Sequence, residues 1–163
     1  MHWQKVSKKP GPCCSSKSAA VTINEAQDEI IKSFSALGDW LDKYEYIVKL
    51  GKQHVGLDES ARIQENALAG CQSQVWIDGH LKDGCVSFAA DSDALITRGI
   101  LALLLLVLNH HPAEEIVTAE LYFLSEIGLS TNLSPARANG LASIVKHMRT
   151  IADSLCHQQK ATE

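Results

Sequence analysis

Cys71 stands in the stretch GCQSQVWI, Gly70 to Ile77. A glycine precedes it, the polar residues Gln72, Ser73 and Gln74 follow, and a short apolar run begins at Val75. Gly70 lets the backbone turn tightly. Val75, Trp76 and Ile77 would anchor a strand carrying the loop. Many cysteines are simply buried, but this pattern places a thiol on a polar loop tip, open to a partner molecule.

The other reactive side chains do not gather around it in the sequence. Tetrahedral zinc or an iron–sulfur cluster needs three or four soft ligands brought together. Cys85 and His80 lie on the same expected hairpin, yet on sequential strands they need not share a face. Cys85 reads as a small buried hydrophobe at a strand start. His110 and His111 follow an apolar helix and are expected to face solvent. The chain has no CxxC and no HxxxH spacing, so no metal is expected. Seven histidines leave a Cys–His pair open, but nothing singles out a base. Phosphate-binding glycine motifs are absent. The run DSD, Asp91 to Asp93, reads as a helix cap more readily than as an acid–base pair. Arg137, in LSPARANG, falls in the first turn of a helix. A cation there opposes the helix dipole, which points to partner recognition or an ion pair.

The elements that must position these residues follow from pattern. The chain has 163 residues, 45% hydrophobic and 21% charged, which suits one domain with a real core. Its formal charge of -4 gives no field for nucleic acid. Five cysteines without framework spacing fit a reducing, cytoplasmic setting rather than a disulfide scaffold. Residues 1–21 are basic and polar, contain Cys13 and Cys14, and read as a loose tail without a secretory pattern. Thr22 and Glu25 form a capping box ahead of a helix. Gly38 breaks that helix, Asp39 caps the next, and Gly51 is expected to end it. A long polar connection leads to QVWIDGHL and CVSFAA, which flank the hairpin signal KDG. A third strand is expected, because an isolated hairpin is marginal. The run ILALLLLVL is too short to span a bilayer and reads as a buried helix. Pro112 starts a short helix, and Gly128 closes AELYFLSEIG. Ser134 caps a last helix with Pro135 at its first position, running to about Leu155. The order gives an α+β domain over residues 22–156, a small antiparallel sheet packed with helices, and a C-terminal tail over 157–163.

Four segments, in this order, resemble the SufE family of sulfur acceptors: KYEYIVKLG, GCQSQVWI, DSDALITRGILALL and LSPARANGLASIV. The likeness runs from about Ile23 to Ile151. It implies a fold similar to that of iron–sulfur scaffold proteins. It implies a chain that accepts sulfane sulfur as a persulfide from a cysteine desulfurase of the SufS or CsdA type. Such a chain stimulates that enzyme and relays sulfur to iron–sulfur scaffold proteins. Pyridoxal phosphate would belong to the partner, with no cofactor in this chain.

On this resemblance Cys71 is the acceptor. Gly70, Gln72, Ser73 and Gln74 would shape its loop, with Asp93 and Arg137 nearby. A lone thiol suffices for exchange with a persulfide. Such a thiol is expected to rest against an apolar hollow and swing out on docking, its pKa raised by burial. Two other classes stay open. A cluster scaffold would need about three cysteine ligands or equivalents. A thiol peroxidase or redox sensor would want a depressed cysteine pKa and a resolving thiol.

Overall fold

A computed structural model describes residues 21–162. Residues 1–20, with Cys13, Cys14 and nearly all of the expected tail, lie outside the described residues, as does residue 163. Helix α1 spans Ile23–Ser35 and opens with the expected capping box. The Thr22 hydroxyl accepts the Glu25 N–H at 3.1 Å, and the Glu25 carboxylate accepts the Thr22 N–H at 3.1 Å. Asp39 caps α2, Trp40–Gln53, by accepting the Asp42 N–H at 3.2 Å. Gly51 does not end α2. The helix continues two residues further, and Gly51 is instead a contact: a Cβ there would run into the Leu95 carbonyl oxygen of α3, Leu95–Leu108. Gly99 of α3 faces the Ile47 carbonyl in the same way. The two backbones meet at a pair of glycines, and that close approach pins the start of α3 to α2.

Strand β1, Val75–Lys82, pairs antiparallel with β2, Cys85–Ser92, in the register Val75 to Ser92 through Lys82 to Cys85. Asp83 and Gly84 both take positive φ, 53° and 79°, the turn that matches strand twist. The third strand does not appear among the described residues. Single bridges cover the edges instead, Ala67 to Trp76 and Val86 to His111. The second corrects the reading of His111 as solvent-facing. Val86 donates its N–H to the His111 carbonyl at 2.9 Å, and this draws His111 in to 3% exposure.

Helix α3 is buried nearly all round and packs on α1, α2 and β2, so it is the centre of the core. Pro112 stands just before α4, Ala113–Thr118, without a side-chain cap, and α4 packs against the last helix. Of AELYFLSEIG only Phe123–Glu126 is helical, as α5; Gly128 follows at φ 90° and α6, Leu129–Asn132, comes after it. Ser134 and Pro135 open α7, Pro135–Ala161, with the cap accepting the Arg137 N–H at 3.4 Å. The helix does not stop near Leu155. Residues 157–161, read as tail, continue it, with Cys156 buried against α4 and Lys160 3.2 Å from Glu114. The architecture is α+β, a two-stranded antiparallel sheet among helices. Among the described residues no helix is long and apolar enough to cross a membrane.

Candidate functional site

The Cys71 loop leaves the connecting segment at Gly70, whose φ of 87° is one that side chains rarely adopt. Cys71 follows, half-buried. Its Sγ points at the Gly140 carbonyl of α7, 3.7 Å away, with the thiol as donor. Beneath it is a cavity of about 30 Å³, walled by Val75, Ile96, Ile100, Leu141 and Ile144. Burial pushes the Cys71 thiol up from its ordinary value, so at neutral pH it rests protonated.

The loop residues divide by what holds them. Ser73 Oγ is 3.2 Å from the Thr97 hydroxyl on α3. Gln74 is held through its backbone: its N–H donates to Asp93 at 3.0 Å and its carbonyl accepts from the Ser92 hydroxyl at 2.7 Å. Gln72 is exposed and lines the mouth of the hollow. Arg137, exposed in the first turn of α7, lines the same cavity. Cys71, Gln72, Ser73 and Arg137 therefore surround one hollow, and Asp93 supports it through the Gln74 backbone. Cys85 sits in the core at 3% exposure, at the far end of the hairpin from the loop. Among the described residues no three His, Cys, Asp or Glu side chains are grouped as metal ligands.

The DSD run does not cap α3. Its N-cap position is Ala94, with no side-chain cap. Ser92 accepts the Ala94 N–H at 3.3 Å, Asp93 turns to the loop, and Asp91 turns inward. Asp91 is the residue that sequence reading missed. It has no exposure, and it holds a network. Arg62 pairs with one carboxylate oxygen, and Arg98 Nε lies 3.2 Å from the other. The N–H groups of Leu57 and Ser92 donate at 3.2 Å and 2.8 Å. Burial pulls the Asp91 carboxyl up, but the Ser92 N–H and the two guanidiniums outweigh it and hold it below its ordinary range. Arg98 also reaches the His54 carbonyl at 2.8 Å, and Arg62 stacks over Trp76 at 5.5 Å. The long connection between α2 and β1 is thereby tied to the end of β2. A cue was present in Gly56, where a Cβ would strike Asp91, but it points nowhere until the fold is known.

Gly140 likewise carries no signal in the sequence. It lies in the second turn of α7, where glycine costs roughly 1 kcal/mol relative to alanine. It is buried directly against the Cys71 sulfur.

Residues 28–152 match the family model described as SufE: Fe-S metabolism associated domain. An uncharacterized SufE-like protein of Rhizobium etli is 43% identical over 127 residues, covering 75% of this chain and 86% of that one. Another, of Rhizobium meliloti, is 37% identical over 131 residues, covering 77% and 94%. A solution structure of a hypothetical protein from Thermus thermophilus superimposes with a TM-score of 0.66 at 14% identity, over 80% of this chain and 95% of that one, and so shares the fold. The match spans the Cys71 loop, the hairpin, α3 and the greater part of α7, and by it the chain belongs to the SufE family, a family associated with iron–sulfur metabolism.

Proposed function

We propose that this chain is a sulfur carrier. It accepts sulfane sulfur on Cys71 from a pyridoxal-phosphate cysteine desulfurase of the SufS or CsdA type, stimulates that enzyme, and relays the sulfur to iron–sulfur scaffold proteins. One observation carries the reading. The Cys71 thiol sits on a loop over an apolar hollow, away from any grouped metal ligands among the described residues. An exchange thiol needs access and little else.

The step balances without a cofactor in this chain. The Cys71 thiolate attacks the outer sulfur of the enzyme's cysteine persulfide. A new S–S bond forms at Cys71 as the donor S–S bond breaks. The electron pair leaves on the donor cysteine as a thiolate, and no net oxidation occurs. Pyridoxal phosphate stays with the enzyme. The raised thiol pKa keeps Cys71 weakly nucleophilic at rest, since only the thiolate attacks. Docking that lifts the loop from the hollow would rehydrate the sulfur and release that restraint. Arg137, on the rim, supplies a cation at the mouth toward which a thiolate or an acidic partner surface is drawn.

The test is desulfurase turnover with and without this protein, with mass spectrometry of the Cys71 peptide. Sulfur is expected on Cys71, removable by reductant. Cys71→Ser should abolish both the gain and the stimulation, because a hydroxyl neither attacks sulfane sulfur at neutral pH nor carries it. Undiminished stimulation by Cys71→Ser, or sulfur found on Cys85, would overturn the assignment.

A further inference from the structure

Glycine is a poor helix former, and Gly140 stands inside α7, a helix of 27 residues. Helical glycines elsewhere in this chain have a reason in the backbone. At Gly51 and Gly99 a Cβ would strike a carbonyl oxygen of the facing helix. Gly140 meets no such obstacle. Apart from its chain neighbours and the backbone of its own helix, the one described atom within 4 Å of a Cβ built there is the Cys71 sulfur, at 3.7 Å. That is an ordinary van der Waals distance, so the bare thiol does not demand a glycine either. The position is unexplained unless Cys71 at times carries something larger than a hydrogen.

The hollow beside it has a matching size. Its volume of about 30 Å³ exceeds the roughly 10–15 Å³ that one water needs. It falls far below the several hundred Å³ of small-molecule sites. It has room for one further heavy atom on the sulfur. Its lining is mostly aliphatic, with Gln72, Ser73, Thr97 and Arg137 as the polar members, and apart from Cys71 itself it offers such an atom no thiol, histidine or carboxylate.

We propose that Gly140 is a specificity-determining residue: by lacking a side chain it lets the outer sulfur of a Cys71 persulfide seat in the hollow, shielded from solvent thiols. This deepens the carrier reading and rests on it. Two solvent thiols otherwise strip the cargo: Cys71–S–SH and two RSH give Cys71–SH, RSSR and H2S. Shielding slows the first attack, because the outer sulfur is reached only when the loop opens.

The protein is charged chemically with inorganic polysulfide, desalted, and exposed to glutathione. The half-life of the persulfide on the Cys71 peptide is then followed by mass spectrometry. In the uncharged state Gly140→Ala should melt no lower than wild type, and its Cys71 should be alkylated at a similar rate. Its persulfide should be lost faster by roughly tenfold or more, as expected when a methyl is forced into a filled site. Gly140→Ser should lose it at least as fast. Equal persulfide half-lives in all three proteins overturn the role of Gly140 and leave the carrier reading standing. If polysulfide and a desulfurase both leave wild-type Cys71 without persulfide, the carrier reading falls and this inference with it.

Discussion

Asp91 and Asp93 stand two residues apart at the end of β2, and the fold uses them in opposite ways. Asp91 has no exposure and is surrounded by two guanidiniums and two backbone N–H groups. Asp93 is exposed, and its carboxylate accepts the backbone N–H of Gln74. The first ties together the connecting segment, the hairpin and α3. The second tethers a loop. The proposed carrier role calls for both: a fixed frame, and a thiol restrained by bonds weak enough to break on docking. The pairing of charge divides likewise. Arg62 and Arg98 on the frame are ion-paired, whereas Arg137 at the hollow has no ion-pair partner among the described residues.

The largest effect that separates the two aspartates is on stability. Asp91→Ala should cost about 3 kcal/mol or more, because two cations lose the anion around which they are packed. Urea unfolding monitored by tryptophan fluorescence measures it. A loss under about 1 kcal/mol would class Asp91 with ordinary surface pairs and dissolve the contrast with Asp93. Acid titration sharpens it. The folded carboxyl lies below its unfolded value of about 3.9. Its contribution is therefore complete above that value and is lost as pH falls through the folded one. Wild type should lose more stability than Asp91→Asn on going from about pH 5 to pH 2. Parallel unfolding midpoints for the two proteins over that range would show that Asp91 does not titrate with the fold.

Local signals were legible in the sequence where the physics is local. Thr22 with Glu25, and Ser134 with Pro135, announce helix starts because each satisfies a backbone N–H or needs none within a few residues. The KDG turn announces the hairpin for a similar reason, since it fixes two positive φ angles. Gly70 and the polar run after it were enough to place Cys71 on a loop. What stayed hidden depends on distant partners. Asp91 is buried because Arg62, 29 positions earlier, folds over it. His111 is buried because Val86 bridges to it. Gly51 and Gly140 read as breakers or as nothing, and their meaning lies in Leu95 and Cys71 across the fold. The last turns of α7 form where Glu114 of α4 meets Lys160.

On the tether the effect should be smaller in stability and visible in access. Asp93→Ala removes one charge-assisted bond to the Gln74 N–H and should cost no more than about 1.5 kcal/mol. With that bond gone the loop opens more often, and Cys71 should be alkylated by iodoacetamide several-fold faster in the native protein. The pH at which labelling reaches half its maximum should also fall back toward that of a free thiol, because burial is what raises it. An unchanged labelling rate would mean that Ser73, through Thr97, and Ser92, on the Gln74 carbonyl, hold the loop without Asp93.

Arg137 carries the smallest stability effect and the most selective functional one. Its backbone N–H serves the Ser134 cap, and that bond survives truncation of the side chain. The guanidinium stands at the positive end of α7, so losing it should leave stability unchanged or raise it by a few tenths of a kcal/mol, roughly 0.3. A cation at such a position, on the rim of the Cys71 hollow and without an ion-pair partner among the described residues, fits the proposed docking of a partner from outside. Arg137→Ala should therefore weaken stimulation of a cysteine desulfurase while the melting temperature holds, and the weakening should shrink as salt is added, since screening removes the same attraction from wild type. Arg137→Lys should recover part of the stimulation if a point charge is enough, and little of it if the partner is gripped through the planar fork. A fall in melting temperature with undiminished stimulation per folded molecule would make Arg137 part of the frame after all, and the division between paired and unpaired arginines would lose its functional meaning.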